Sequence, residues 1–128
     1  MFQNFLMSYI DNKGCLHQGV TLEAVESLDF VGFWPVRRPV SYQGQPNYPG
    51  YYWFSQLKNL VPYESRLEMF TLLDIDFSAC VRGILTQPLL FQFKNARTTY
   101  KHIPDLLVTH TNGNIELIDV KPKKYLIL

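Results

Sequence analysis

The stretch of sequence that decides the fold runs from residue 102 to residue 121 and reads HIPDLLVTHTNGNIELIDVK. Ile103 to Thr109 and Asn114 to Lys121 are both strand-like, and Thr111-Asn112-Gly113 between them is a turn signal. Positions around the polar residues of both segments are apolar. The stretch therefore predicts an antiparallel strand pair in the middle of a sheet rather than at its edge.

The length of the turn decides which side chains of this strand pair face each other. A two-residue turn at Asn112-Gly113 would set Asp105 opposite Val120, and the carboxyl groups of Asp105 and Asp119 would point to different faces. A three-residue loop, with Gly113 in a left-handed conformation, sets Asp105 directly opposite Asp119. We predict the three-residue loop, because a shared metal site requires both carboxylates on one face.

The polar residues of the strand pair are those that metal-dependent phosphodiester hydrolysis uses. The strand period of two puts Asp119 and Lys121 on one face, with Val120 on the other. Clustered carboxylates suit Mg²⁺ or Mn²⁺, which polarises the phosphate and activates water, while a nearby Lys stabilises developing charge. The alternative to catalysis is a structural role. Asp105 would then be a residue at the entry to a strand, and Asp119 and Lys121 an exposed ion pair that contributes at most about 1 kcal/mol to stability.

A helix is predicted from Ser65 to about Asp74, ahead of the strands. Its apolar side chains recur at helical spacing: Leu67, Met69, Phe70, Leu72 and Leu73. Glu68 in its first turn is a third acidic candidate, and Glu64 is its rival. Ser65 and Glu68 also fit a capping box, in which both side chains accept hydrogen bonds from amides at the helix start. The role of Glu68 is open between these two interpretations.

The rest of the chain is less informative. Residues 1–34 are interpreted as an N-terminal arm with a short helix capped by Thr21, and residues 35–128 as the core. Strands are expected at Tyr51–Phe54, Leu57–Val61 and Ile84–Phe93. Gln87 and His102 lie near the acidic motifs and are open to a role there, although such residues more often serve the structure.

Composition bounds the class of protein without deciding its function. With 128 residues, 47% of them hydrophobic, and a net charge of +1, the chain suits one folded domain and leaves nucleic-acid binding open. Cys15 and Cys80 match neither a zinc motif nor a disulfide framework. With neither a leader nor a membrane span expected, a cytoplasmic protein is predicted. Four basic residues contact DNA phosphates or form a solvated surface: Arg37, Arg38, Lys123 and Lys124.

Taken together, four motifs resemble the amino-terminal nuclease domain of TnsA-type proteins, which are subunits of heteromeric transposases. The motifs are Tyr63–Glu68, Val81–Pro88, His102–Val108 and Ile118–Pro122. The resemblance covers the chain from about Pro35 to Pro122. It implies an α/β fold of the restriction-endonuclease-like kind, with a mixed β-sheet flanked by helices. It also implies a bacterial, nucleoid-associated protein.

The same resemblance implies roles for individual residues. Glu68 is the acid from the helix, Asp105 the central metal ligand, Asp119 the third acidic position and Lys121 the catalytic Lys. The implied cofactor is Mg²⁺, for which Mn²⁺ substitutes. The implied activity is cleavage of the 5′ strands at transposon ends, with a TnsB-like transposase and a TnsC-like ATPase regulator as partners and no membrane.

The chain departs from the family after Lys121. The family's core continues with a helix and a strand, and many members add a winged-helix-like domain, so we expect the fold here to be truncated at its C-terminus. Two alternatives therefore stay open. One is an inactive or truncated relative that binds DNA or the transposase, and the other is a repair, restriction or resolvase nuclease on the same fold.

Overall fold

The computed structural model describes residues 5–37 and 49–121. Its elements, in chain order, are β1 (Phe5–Ile10), β2 (Leu16–Val20), α1 (Leu22–Glu26), β3 (Gly50–Phe54), β4 (Asn59–Tyr63), α2 (Arg66–Ser78), β5 (Val81–Thr86), β6 (Leu90–Lys94), β7 (Thr99–His102), β8 (Leu106–His110) and β9 (Ile115–Ile118). Neither helix in these ranges is long and apolar enough to cross a membrane.

The strands form three sheets, in the orders β2-β1-β6-β7, β3-β4 and β5-β8-β9. Every pairing between them is antiparallel. The α/β class is confirmed at this level. The expected mixed sheet is not found among the described strands, because no parallel pair occurs there. The predicted order of one helix and three strands is realised by α2, β5, β8 and β9, with β6 and β7 inserted between β5 and β8.

The register of β8 and β9 is the one predicted from the turn. Leu106 pairs with Ile118 and Leu107 with Leu117. The regular pairing ends at Leu106, and the N–H of Asp105 donates to the carbonyl of Ile118. The N–H of His110 donates to the carbonyl of Asn114 at 2.8 Å, which closes a three-residue loop. Gly113 in that loop has φ +92°, the left-handed conformation expected of it.

We expect Gly113→Ala to lower the free energy of unfolding by about 1 kcal/mol. A Cβ at this position would meet no atom within 4 Å, so the cost comes from the positive φ alone. Urea denaturation monitored by circular dichroism measures the loss. Gly113→Asn is the control, since Asn tolerates the left-handed region better. Equal losses in the two variants would contradict the assignment of the effect to φ.

Helix α2 was predicted correctly in type but with the wrong face buried. It extends to Ser78, four residues beyond the predicted end. Leu72 and Asp76 are buried, whereas Phe70 is 55% exposed and Leu73 is also exposed. The physical reason is the polar anchor at Asp76: its carboxylate is hydrogen-bonded to the β3–β4 hairpin, and these bonds orient the helix about its axis.

Strand β8 lies between two hydrophobic clusters. Leu106 and Val108 pack with α2 and the β3–β4 hairpin on one face. Leu107 packs on the other face with residues of β1, α1 and the β5–β6 connection. Burial on both faces confirms the predicted central position for β8. For β9 that prediction was wrong, because β9 is the outer strand of its sheet within the described part of the chain.

Residues 1–34, interpreted from the sequence as an arm, share a core with the remainder of the chain. Strand β1 pairs with β6 through Met7 and Phe91. Met7 and Tyr9 belong to the same buried cluster as Leu107. The short helix α1 is confirmed: its N-cap is Thr21, whose side chain accepts a hydrogen bond from the N–H of Ala24.

The segment predicted as one strand over Ile84–Phe93 is two strands in different sheets. Strand β5 ends at Thr86 and β6 begins at Leu90. Gln87 between them has φ +48°, and Pro88 has no N–H to donate to a ladder. These two residues therefore change the direction of the chain and place the C-terminal end of β5 next to Asp105.

Candidate active site

Two of the predicted acids lie at one end of the β8–β9 pair. Asp105 directly precedes β8 and Asp119 directly follows β9. The N–H of Asp105 donates to the carbonyl of Ile118 at 3.1 Å. The N–H of Val120 in turn donates to the Asp105 carboxylate at 2.8 Å. Both the backbone and the side chain of Asp105 are thus held against the end of β9.

The third acid, Glu68, is placed by the start of α2. Its Oε2 accepts a hydrogen bond from the N–H of Glu64 at 2.9 Å, and its own N–H donates to Ser65 Oγ at 3.2 Å. The capping interpretation of Ser65 and Glu68 is therefore confirmed, with the amide of Glu64 taking the place expected of Ser65. Because only some of its oxygen lone pairs are used by the cap, Glu68 retains the capacity to bind a further ligand.

Electrostatics connects Glu68 to Asp105. Burial raises the pKa of Glu68 above its ordinary value, and the negative charges of Asp105 and Glu64 raise this pKa further. The hydrogen bond from the Glu64 amide and the positive charge of Arg37 act in the opposite direction. The negative charges of Glu68 and Asp105 therefore disfavour each other, and a cation bound beside them would relieve that repulsion.

Asp119 is engaged by a histidine. Its Oδ2 lies 2.8 Å from Nε2 of His102, the last residue of β7, and both side chains are partly exposed. Over residues 5–37 and 49–121, no three His, Cys, Asp or Glu side chains are grouped so that they could hold one metal ion. Lys121 follows Val120 and is exposed. The structure thus brings Glu68 near Asp105, and pairs Asp119 with His102.

Arg37, predicted as a contact to DNA phosphate, lies at this site. Its Nη2 donates to Gln87 Oε1 at 2.9 Å and to Glu64 Oε2 at 3.3 Å. The N–H of Gln87 donates to the carbonyl of Asp105 at 3.0 Å. The other basic residues assigned to DNA contact lie outside the described residues: Arg38, Lys123 and Lys124.

The sequence interpretation left His102 and Gln87 without an assigned role, although both belong to this cluster. A signal was present for Gln87, since a polar residue before Pro in an apolar strand is unusual. For His102 the only signal was its position three residues before Asp105. Neither signal predicts a bond to Asp119 or to Arg37, because each partner is distant in the sequence.

The donor set fits a hard divalent cation. Glu68 and Asp105 supply carboxylate oxygens, the ligands that Mg²⁺ and Mn²⁺ prefer. Burial is the main cause of the raised pKa of Glu68, and the negative charge of Asp105 raises this pKa further. A bound cation would lower this pKa again, because it stabilises the charged form of the carboxyl group.

Comparison of the chain with protein-family models, characterised proteins and solved structures found no significant match. No relative therefore supplies a role for any residue of the site. Assignment of a function depends on the contacts and charges of the residues described above.

Proposed function

We propose that this chain is the nuclease core of a Mg²⁺-dependent DNA endonuclease of the restriction-endonuclease-like kind. The observation that supports the proposal most is the antiparallel pairing of β8 with β9, which places Asp105 and Asp119 at the same end of the sheet. A second is the influence of the Asp105 charge on Glu68. In this proposal Glu68 and Asp105 hold a divalent cation that assists hydrolysis of a phosphodiester, and Asp119 lies at the same end of the sheet, bonded to His102.

The order of elements also supports the proposal. Helix α2 is followed by the antiparallel strands β5, β8 and β9, which form one sheet, and α2 packs against this sheet through Leu72. The helix contributes Glu68 and the strands contribute Asp105 and Asp119. This is the arrangement that the resemblance to TnsA-type nucleases implies.

The residues that would hold Mg²⁺ or Mn²⁺ are Asp105 and Glu68, with Asp119 as the third once its carboxylate leaves His102. The metal, when bound, polarises the phosphate and lowers the pKa of the attacking water. Lys121 lies two residues beyond Asp119 and stabilises charge on the phosphate. The backbone bond from Val120 keeps the Asp105 carboxylate in place without a change of conformation.

The biological setting of the proposal comes from the resemblance. The DNA substrate is the end of a transposon, where the chain cuts the 5′ strands. A TnsB-like transposase with a different fold cuts and joins the 3′ strands, and a TnsC-like ATPase links the complex to target DNA. We place this complex in the bacterial cytoplasm, associated with the nucleoid.

A second candidate function is a module that binds DNA or the transposase without cutting. The observation that favours it is the bond between Asp119 and His102 at 2.8 Å, which withdraws one acid from the group.

A repair, restriction or resolvase nuclease on the same fold is the other alternative. That alternative predicts cleavage in the absence of any transposase subunit.

Nicking of supercoiled plasmid carrying transposon ends tests the proposal. The chain is assayed with Mg²⁺ or Mn²⁺ and the partner subunits, beside Asp105→Ala and Lys121→Ala. We expect both variants to lose at least about a hundredfold in rate, because metal-assisted stabilisation is worth several kcal/mol. Asp74→Ala and Lys101→Ala, at exposed positions, are the matched controls. Equal rates for the wild type and all four variants would refute catalysis by this site.

A further inference from the structure

Gln87 is a buried polar residue with an unusual backbone. It is 2% exposed and has φ +48°, a left-handed conformation that costs a non-glycine residue about 1 kcal/mol or more. Within residues 5–37 and 49–121, three hydrogen bonds hold it: its N–H donates to the carbonyl of Asp105, its carbonyl accepts from Val36, and its Oε1 accepts from Arg37. Gln87 is therefore a rigid link between Arg37 and the start of β8.

The positive charge of Arg37 is oriented by Gln87 but not cancelled by it. Of its two side-chain bonds to residues that the structure describes, the shorter, at 2.9 Å, goes to the neutral amide oxygen of Gln87, and the longer, at 3.3 Å, to the Glu64 carboxylate. Both bonds involve Nη2, and the side chain is 48% exposed. A guanidinium held by one edge presents its remaining donors in a fixed plane.

The place where Arg37 is held is next to the acids. The positive charge of Arg37 acts against the other causes that raise the pKa of Glu68. Gln87, which accepts a hydrogen bond from Arg37, donates its backbone N–H to the carbonyl of Asp105. A planar guanidinium matches the oxygens of a phosphate group in two parallel hydrogen bonds. An anion bound by Arg37 would therefore lie beside the carboxylates to which we assign the metal.

We infer that Arg37 is a clamp for a phosphate of the DNA backbone, and that Gln87 is the positioning residue that fixes it beside the acidic cluster. The inference rests on the proposed function, since it names the group that binds DNA at that site. It differs from a mobile basic residue on the surface, which binds phosphate without a partner that orients it. Substitution of Gln87 should then reduce the affinity for DNA as much as substitution of Arg37 does.

Binding of the 128-residue chain to a short DNA duplex tests the inference, by fluorescence anisotropy with Ca²⁺ in place of Mg²⁺ so that the DNA stays intact. We expect Arg37→Gln to weaken binding about tenfold and to reduce the salt dependence by about one phosphate contact. Arg97→Gln is the matched control, because Arg97 is an exposed residue in the β6–β7 turn. Its affinity should stay within about twofold of the wild type, because a solvated surface residue away from the site contributes little.

Two substitutions at Gln87 separate positioning from folding. Gln87→Asn tolerates the left-handed backbone but is one methylene too short to reach Arg37, so its affinity should fall as in Arg37→Gln. The double variant should bind no more weakly than either single variant, since both remove the same contact. Gln87→Glu keeps the acceptor for Arg37 but neutralises its charge. It should weaken DNA binding at a temperature where circular dichroism shows the variant to be folded.

The inference is overturned if Arg37→Gln binds DNA as tightly as the wild type, or if the losses from Arg37→Gln and Gln87→Asn multiply in the double variant. The exposed Arg37 position keeps the first comparison valid even if Gln87→Asn unfolds. Failure of the clamp and failure of the proposed function give different results. Plasmid nicking that needs Asp105, with unchanged DNA affinity in both variants, refutes the clamp alone. Arg37-dependent binding by a chain that never nicks refutes the nuclease alone.

Discussion

Replacement of Glu68 by Gln is expected to reduce DNA cleavage at least about a hundredfold while leaving the fold as stable as the wild type or more so. Glu68 serves both as a cap for α2 and as a proposed metal ligand. Gln keeps an oxygen that accepts the hydrogen bond from the Glu64 amide, since Gln also occurs in capping boxes. It removes only the negative charge, which the proposed metal binding requires and the cap does not.

The expected stability of the Glu68→Gln variant follows from the raised pKa of Glu68. Burial and the charge of Asp105 raise this pKa above 4.5, so folding favours the protonated form. The ionised carboxyl group therefore destabilises the fold as pH rises above its unfolded-state pKa, and this cost is complete once pH exceeds the folded pKa. At pH 7 the Gln variant lacks that cost. Its advantage in melting temperature should shrink as pH falls toward 4.

Ser65→Ala is the matched variant for Glu68→Gln, because it removes the other half of the cap and leaves the carboxylate. We expect it to lose about 1 kcal/mol of stability and to retain cleavage at temperatures where it is folded. Thermal melts and plasmid nicking are measured on both variants. We expect Glu68→Gln to lose cleavage but not stability, and Ser65→Ala to lose stability but not cleavage. A stable Glu68→Gln variant with wild-type cleavage would show that Glu68 is a cap and nothing more.

Replacement of Asp76 by Ala is expected to lower the free energy of unfolding by about 3 kcal/mol, the largest loss of stability among the substitutions proposed. The buried Asp76 carboxylate accepts four hydrogen bonds, from the Tyr52 hydroxyl, the Ser55 amide and hydroxyl, and the Gln56 amide. Ala would leave these donors without an acceptor, while the bonds from the Gln56 side chain to the carbonyls of Asp76 and Ala79 would remain. Urea denaturation at pH 7 measures the change.

The stability supplied by Asp76 should depend on pH. Burial acts to raise the pKa of Asp76, but the hydrogen bonds from Ser55, Tyr52 and Gln56 outweigh it and lower the pKa below 3.8. A carboxyl group with a lowered folded pKa stabilises the fold above its unfolded-state pKa, and this contribution is lost as pH falls through the folded value. Asp76→Asn should accordingly lose less stability than the wild type between pH 5 and pH 3.

Asp74→Ala is the control for both measurements. Asp74 lies on the same helix, two residues before Asp76, and is exposed. Its removal should change stability by no more than about 0.5 kcal/mol. A comparable loss in Asp74→Ala and Asp76→Ala would show that helix charge, and not the bonds to the hairpin, determines the effect.

Local rules were sufficient to predict the strand pair that carries the acids. The turn at Thr111-Asn112-Gly113 has a short list of allowed geometries, and Gly113 takes the one that needs a positive φ. The three-residue loop then fixes the register of β8 and β9, so that Asp105 and Asp119 lie at the same end of the strand pair. The caps at Thr21 and Ser65 were predictable for the same reason, since each depends on residues within four positions.

Long-range contacts decided what those rules missed. The strands β1, β2 and β7 exist as parts of a sheet with β6, and no periodicity in their own short segments required it. The buried face of α2 was predicted from its apolar residues, yet Asp76 is inside and Phe70 is outside. Hydrogen bonds from the β3–β4 hairpin, some twenty residues earlier, determine that orientation. The spacing of apolar residues in the helix does not predict these bonds.

Sequence by itself determined the register of β8 and β9 and which glycine makes the turn, because turn geometry and strand alternation act over a few bonds. Tertiary structure alone decided that Asp119 bonds to His102 and that Arg37 bonds to Gln87, partners 17 and 50 residues apart. Such pairs form only when separate sheets and connections come together. The physical reason is that a hydrogen bond between distant residues depends on the position of every element between them.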